Sequence, residues 1–278
     1  MSLISINSLS GGKTSSYMAA NYWADYDIFS LVRIQSRKFK DEKVRQYVED
    51  KLQKPFIGTS EEDTIVYTML DLEQHIGRPI TWVTGPTFEE VIENKGGYLP
   101  NKMARYCTTE LKTLPILQWV IENLDDVPVM RFGYRANEGR RVLKMQQRAT
   151  GLTLYVKASF EKHADGRNKW REYAYCIPEF PLYEDEIYKD QVENYWKDQP
   201  VRFAYMNNCV GCFWRSPLLL HKMYQKDAEK MDWFNEQEQK TGNRWRSDVT
   251  YEKIKNFHSQ IELFDNDFNE CDSGNCGI

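Results

Sequence analysis

The residues best suited to bind a phosphate stand near the start of the chain, behind a short apolar run. Leu3-Ile4-Ser5-Ile6 predicts a strand, and the residues after it predict a helix over 15–25. Glycines let a backbone approach a phosphate closely, and the free N–H groups of a helix's first turn attract an anion. The segment between them carries two glycines, a lysine and several hydroxyl groups: Ser10, Gly11, Gly12, Lys13, Thr14, Ser15 and Ser16. We therefore predict an anion site here.

Two kinds of phosphate loop match parts of this segment. The Walker A pattern, G-x4-G-K-[ST], needs its first glycine at position 7, where this chain has Asn7. The shorter pattern S-G-G-x-x-S fits the residues from Ser10 to Ser15. We prefer the shorter loop, and an ordinary glycine turn between a strand and a helix is the alternative.

A second basic segment contains a cysteine near a predicted helix start. Arg105 precedes Cys107 by two positions, and Lys112 follows it by five. Positive charge and a helix N-terminus lower the pKa of a thiol, which favours the nucleophilic thiolate. The alternative is a small buried cysteine beside a solvated basic helix end.

A third segment, Gly133-Tyr-Arg-Ala-Asn-Glu-Gly-Arg-Arg141, directly follows a predicted strand. Arg135 and Arg141 are suited to bidentate contact with phosphate or sulfate, and Glu138 is placed to fix one of them. A charged surface loop is the alternative interpretation.

Four cysteines have the arrangement of metal ligands rather than of disulfides. Cys209 and Cys212 form a C-x-x-C pair, which is typical of thiolate metal sites. With Cys107 they supply three thiolates, and Cys271 or Cys276 supplies a fourth, which suits a 4Fe–4S cluster. Zinc uses the same ligands, and a C-x-x-C pair without metal is the third possibility.

Taken in order, these segments resemble those of the PAPS reductase-like family, which includes the PP-loop ATP pyrophosphatases. The loop at Ser10, the R-x-C segment, the G-x-R segment and Phe180-Pro-Leu182 follow one another as they do in that family. The family often has aspartate at the position of Thr14. The resemblance implies an adenine nucleotide alpha-hydrolase-like fold with ATP or PAPS as its nucleotide, and Mg²⁺ if ATP is the substrate. It assigns nucleotide binding to residues 10–16 and to Arg105, Lys112, Arg135, Glu138 and Arg141.

The same resemblance implies sulfur-transfer chemistry at the α-phosphate of the nucleotide. An ATP pyrophosphatase would release AMP and pyrophosphate while activating an acceptor for thiolation, with Lys13 and Cys107 as catalytic residues. A sulfonucleotide reductase would instead release sulfite, with Cys276 as nucleophile, because Asn275-Cys-Gly-Ile278 partly matches the E-C-G-[LI]-H signature. The expected partners are a sulfur donor or a thiol reductant protein, and a nucleic-acid acceptor is a further option. A non-catalytic nucleotide- or nucleic-acid-binding module with a structural metal is the alternative from another class.

Strands and helices alternate along the first part of the chain, which predicts an α/β fold with a doubly wound, mostly parallel sheet. We expect a nucleotide-binding domain over 1–205 and a helical, cysteine-containing C-terminal region over 206–278. Strands are predicted at 27–35, 55–59, 79–84 and 127–132, and helices at 41–54, 61–75, 88–94, 109–123, 190–196 and 218–239. Ser60 is predicted to cap the helix that begins at 61, and the polar stretch 161–171 is typical of a loop or a hairpin tip.

Composition limits the class of protein. The chain has 278 residues, of which 28% are charged and 41% hydrophobic, as in soluble globular proteins. A net charge of -4 argues against a broadly basic surface but leaves room for a local basic patch. No apolar run reaches the length of a membrane span, so we expect a cytoplasmic protein whose six cysteines are reduced.

Overall fold

The computed structural model describes residues 3–257, and these form two compact units, each built from separate parts of the chain. The first unit combines residues 3–30, 67–83 and 114–203. The second combines residues 31–66, 84–113 and 204–257. The helical C-terminal residues thus share a unit with two earlier segments of the chain.

The strands are β1 (Ser5–Leu9), β2 (Tyr26–Ser30), β3 (Arg33–Ile34), β4 (Gly58–Thr59), β5 (Ile80–Val83), β6 (Val129–Arg131), β7 (Leu154–Ala158) and β8 (Arg171–Glu179). The helices of the first half are α1 (Lys13–Asn21), α2 (Glu42–Leu52), α3 (Asp63–Ile76), α4 (Phe88–Asn94), α5 (Tyr106–Thr108) and α6 (Leu114–Asn123), with a π-helical turn over Thr109–Thr113. Those of the second half are α7 (Gly139–Gln146), α8 (Pro181–Glu184), α9 (Lys189–Trp196), α10 (Pro217–Lys226), α11 (Ala228–Thr241) and α12 (Tyr251–Lys255), and a 3-10 turn covers Ala136–Glu138.

The first unit is organised around a six-stranded sheet with the order β5-β2-β1-β6-β8-β7. All neighbouring pairs are parallel except β7 and β8, which form an antiparallel hairpin at one edge. The prediction of an α/β fold with a mostly parallel sheet is therefore confirmed.

Three predicted elements differ from the structure in informative ways. The predicted strand 27–35 is divided into β2 and β3, and the buried Arg33 guanidinium after the break donates to Thr84 Oγ1 at 3.0 Å and to Gly85 O at 2.7 Å. The predicted helix 218–239 is divided at Asp227, whose carboxylate caps α11 by accepting from Lys230 N at 3.2 Å. Ser60 does not cap α3, which begins at Asp63, because the Ser60 hydroxyl bonds to the Cys209 thiol at 3.0 Å.

The core of the second unit is rich in aromatic side chains from its C-terminal helices. Trp233, Phe234, Trp245 and Tyr251 are almost fully buried and contact one another. Gly211 packs so closely on this cluster that an added Cβ would lie 2.4 Å from the Phe234 ring. Only glycine fits there, so the backbone between Cys209 and Cys212 is held directly by the core.

The predicted helical character of the C-terminal region is confirmed for 217–255, where α10, α11 and α12 lie. Cys271 and Cys276 fall beyond the described residues, so the predicted cysteine cluster stays a prediction. Among residues 3–257, none of the helices has the length and apolar character needed to cross a membrane.

A buried polar chain connects β1 and β2 beneath the predicted phosphate loop. The Asn7 amide donates to Asp27 Oδ1 and to Tyr22 O, both at 2.9 Å, and Asn7 and Asp27 are almost completely buried. Arg78 Nε donates to Asp27 Oδ2 at 2.6 Å, and its Nη2 donates to Ala19 O at 2.6 Å. One guanidinium thus neutralises a buried carboxylate and also fixes the end of α1.

Replacing Arg78 by Met should destabilise the first unit, because it leaves the Asp27 carboxylate buried without its counter-charge. Breaking a buried ion pair in this way costs roughly 3–5 kcal/mol, and the partial exposure of Arg78 points to the lower end. Chemical denaturation followed by circular dichroism measures the change. The control is Arg167→Met, which removes an exposed pair with Asp165 and should leave stability unchanged. Equal stability of the two variants would contradict this role for Arg78.

Candidate functional site

The order of the strands creates a crevice beside β1. From β1 the chain passes to β2 and β5 on one side, and it returns to β6 on the other side of β1. In open parallel sheets, ligands bind at such a switch point, outside the carboxyl ends of the strands. Two of the predicted segments follow these two neighbouring strands: residues 10–16 follow β1, and residues 133–141 follow β6. The topology therefore brings the two segments to the same edge.

The loop after β1 is preorganised by its own hydroxyl groups. Gly11 has φ of +79°, which favours glycine, and α1 begins at Lys13 without a side-chain cap or an acidic residue in its first turn. Ser15 Oγ accepts from Ser10 N at 3.2 Å and donates to Gly12 O at 3.1 Å. The first N–H groups of α1 consequently lack a competing carboxylate from their own turn, which suits an anion.

The segment after β6 packs directly against this loop. A Cβ added to Gly133 would lie 3.3 Å from the backbone nitrogen of Ser15. Beyond it, Glu138 binds two arginines: Oε2 accepts from Arg135 Nε at 3.2 Å, and Oε1 accepts from Arg141 Nη1 at 2.5 Å. From its place in the sequence, Glu138 was predicted to fix one arginine, whereas it contacts both.

Aromatic rings that follow β6 and β8 support Arg141. The Arg141 guanidinium lies 4.0 Å from the centre of the Tyr134 ring, and that ring stacks on Phe180 with an interplanar angle of 11°. Burial raises the pKa of the Tyr134 hydroxyl, so the ring stays neutral beneath the cation. Phe180 begins the Phe180-Pro-Leu182 segment, which therefore has a place in this arrangement.

Helix α9 packs against the predicted phosphate loop. The ammonium group of Lys13 forms an ion pair with Glu193, and Trp196 Nε1 donates to Lys13 O at 2.9 Å. The Lys13 and Glu193 side chains are 37% and 40% exposed, so a dissolved anion can reach the pair. The Glu193 carboxylate is thus paired with the Lys13 ammonium group, which was predicted to bind phosphate.

The second unit gathers a different set of predicted residues around Cys209. Its thiol bonds to the Ser60 hydroxyl at 3.0 Å, and the backbone pairs Glu61 with Cys209 in an isolated bridge. Burial, with the nearby charges of Glu61 and Cys107, raises the pKa of the Cys209 thiol to about 12, and the Lys112 ammonium opposes this shift. Cys107 and Lys112 therefore lie close enough to Cys209 to act on its thiol electrostatically.

A completely buried carboxylate lies at the centre of this group. Glu61 Oε1 accepts from Lys112 Nζ at 2.8 Å, while Glu61 Oε2 has no hydrogen-bond partner within the described chain. Lys230 donates to Glu61 O and to Asp63 Oδ1. Nothing in the sequence pattern singled out Glu61, because it stands in an ordinary polar run before a helix.

Two other predicted site residues, Arg105 and Cys212, have contacts within the second unit. Arg105 lies in the second unit, with its guanidinium 5.2 Å from the centre of the Trp214 ring. The Cys212 amide donates to Cys209 O at 3.1 Å, which closes the C-x-x-C turn. Among residues 3–257, no group of three or more His, Cys, Asp or Glu side chains is arranged to hold a metal ion. The predicted ligands Cys271 and Cys276 lie past that range.

Comparisons of the chain with protein-family models, with curated proteins and with solved structures found no match.

Replacing Glu193 by Gln should tighten the binding of pyrophosphate. The carboxylate competes with an anion for Lys13, and an exposed ion pair is worth about 0.2–1 kcal/mol, so we expect a gain of up to about fivefold in affinity. Isothermal titration calorimetry with pyrophosphate measures the change. Lys13→Met should weaken binding, and the control Glu184→Gln, which removes an exposed acid of the same unit, should leave it unchanged. Weaker binding by the Glu193 variant would contradict the competition.

Proposed function

We propose that this protein is an enzyme of the PAPS reductase-like family that acts at the α-phosphate of an adenine nucleotide in sulfur-transfer chemistry. The observation that carries the proposal is the convergence, at one edge of the sheet, of the two segments that were predicted to bind anions. Residues 10–16 follow β1 and residues 133–141 follow β6, and their backbones are in contact at Ser15 and Gly133. We also propose that the first unit has the adenine nucleotide alpha-hydrolase-like fold.

The proposed reaction is the conversion of ATP to AMP and pyrophosphate, with activation of an acceptor for thiolation. An acceptor oxygen attacks the α-phosphorus, the bond from that phosphorus to its bridging oxygen breaks, and pyrophosphate leaves. Sulfide-level sulfur from a donor protein then attacks the adenylylated acceptor, and AMP leaves with the bonding electron pair. Mg²⁺ carried by the triphosphate would neutralise part of its charge.

The basic residues of the first unit are suited to stabilise the negative charge that develops on the leaving pyrophosphate. Lys13 and the first N–H groups of α1 would bind the pyrophosphate, and stabilising the charge that develops there is the largest effect expected of such a site. Arg135 and Arg141, held by Glu138, would bind the remaining phosphate oxygens in fixed orientations. Glu193 would have to leave Lys13 when the nucleotide enters.

The second unit would supply the sulfur chemistry. Cys107 is the proposed thiol of the transfer step. The turn from Cys209 to Cys212 would be part of a metal centre, either a 4Fe–4S cluster or zinc, completed by Cys271 or Cys276. The donors among residues 3–257 do not by themselves make a metal site, so the centre would need a ligand from beyond that range.

Product analysis tests the activity. The protein, incubated with ATP and Mg²⁺ and with water in place of the thiolation acceptor, should form AMP and pyrophosphate, and Lys13→Met should abolish this turnover. The control is Lys197→Met, which removes an exposed lysine at the end of α9 and should retain turnover. Three outcomes would overturn the proposal: sulfite release from PAPS with inertness toward ATP, orthophosphate as the product, or nucleotide binding without turnover.

Metal analysis after anaerobic purification tests the proposed centre. A 4Fe–4S cluster should give about four iron and four sulfide ions per chain with visible absorption, whereas a zinc site should give about one colourless zinc. Cys209→Ser and Cys212→Ser should lose the metal. Cys176→Ser should retain it, because Cys176 is completely buried in β8 and is not one of the proposed ligands. A wild-type chain free of both metals would refute the centre.

A further inference from the structure

The charge of the chain is distributed very unevenly, and one stretch of the first unit is strongly basic. Residues 140–171 contain nine lysines and arginines but only two acidic residues, although the whole chain has a net charge of -4. This stretch comprises most of α7, the turn after it, β7, and the hairpin tip that leads into β8. Such a concentration of one charge sign favours a polyanionic partner.

The helical part of this stretch presents its charges on one side. Arg140, Lys144 and Arg148 are spaced four residues apart along α7 and its continuation, and all three are exposed. Val142 and Met145, on the other side, are buried. No ion pair to these three basic residues is formed within the part of the chain that the structure describes, so their charges are available to a partner.

The hairpin continues the basic stretch and adds exposed aromatic rings. The tip is closed by a bridge between Lys162 and Asn168, so the predicted hairpin is confirmed. Trp170, Tyr155 and Phe160 expose 52%, 47% and 40% of their surface. These residues alternate along the hairpin with five basic side chains: Lys157, Lys162, Arg167, Lys169 and Arg171.

Chain connectivity keeps the helix and the hairpin close together. Leu154 follows Arg148 by six positions, which limits their Cα atoms to a separation of about 20 Å. The bridge between Thr150 and Thr153 folds this connection into a tight turn and shortens it further. The charges of α7 and the rings of the hairpin are therefore within reach of one extended ligand.

We propose that α7 and the β7–β8 hairpin form a binding surface for single-stranded nucleic acid. Phosphates would contact the basic residues, and unpaired bases would stack on the exposed rings, which is how proteins bind single strands without reading their sequence. The stacking component favours a single strand over a duplex, whose bases are already stacked. The acidic partners of the hairpin, Glu161 and Asp165, form only exposed ion pairs, which a phosphate can replace.

Fluorescence anisotropy with labelled oligo(dT) and oligo(U) of about 15 nucleotides tests this surface, since site sizes for such binding fall near that length. Trp170→Ala should weaken binding by about 5- to 150-fold, as expected for the loss of one stacked base. The control is Trp23→Ala, which removes a ring that is 67% exposed elsewhere on the same unit and should leave affinity unchanged.

The charge contribution is tested separately. Replacing Arg140, Lys144 and Arg148 together by Ala should reduce the slope of log affinity against log salt by about 2, because each phosphate contact in a single strand contributes about 0.7. The matched control replaces the exposed Lys40, Lys43 and Lys253 of the second unit and should keep the slope.

Three results would overturn the proposal: no binding to either oligonucleotide at low salt, equal losses in the variants and their controls, or tighter binding to a duplex of the same length. Variant-dependent binding to phosphatidylserine vesicles in place of the oligonucleotides would likewise identify a membrane surface instead. All of these measurements omit ATP. A failure here therefore leaves the proposed activity standing, and a failure of the activity leaves this surface standing.

Discussion

The parallel pairing of β1 with β2 on one side and β6 on the other is the constraint on which the first unit depends. Parallel strands place all their carboxyl ends at one edge, so the loops that follow β1 and β6 must meet there. The buried Asn7 amide and Asp27 carboxylate tie β1 to β2, and Arg78 connects Asp27 to the end of α1. These buried polar contacts thereby fix the strand and the helix that flank the predicted phosphate loop.

Both units contain carboxylates that neutralise cationic side chains at the predicted site residues. In the first unit, Glu138 holds two arginines and Glu193 holds Lys13, so a cationic crevice is assembled from residues that are each already paired. In the second unit, the buried Glu61 is neutralised by Lys112, whose ammonium group also opposes, without cancelling, the effect of burial that raises the pKa of the Cys209 thiol. A carboxylate that is paired in this way can orient a cation and yet give way to a stronger anion, which is the property that the proposed nucleotide site needs.

The sequence predicted those features that depend on local order along the chain. The spacing of apolar residues predicted most of the strands of the sheet and the helices that connect them. The glycine-rich loop was recognised because glycine, lysine and hydroxyl residues occur together. Features that depend on distant residues left no such signal. Glu193 is separated from Lys13 by 180 residues, and the Ser60 hydroxyl was drawn away from its expected capping role by Cys209. The division of the chain into two interleaved units likewise depends on contacts that no local pattern records.

Hydrogen–deuterium exchange with and without pyrophosphate tests the central claim most directly, because it reports on both segments of the crevice at once. The account predicts that pyrophosphate slows exchange in residues 10–16 and in residues 133–141 together, and that Lys13→Met removes both effects. Protection confined to other parts of the chain, or protection of one segment without the other, would contradict a single anion site at the switch point of the sheet.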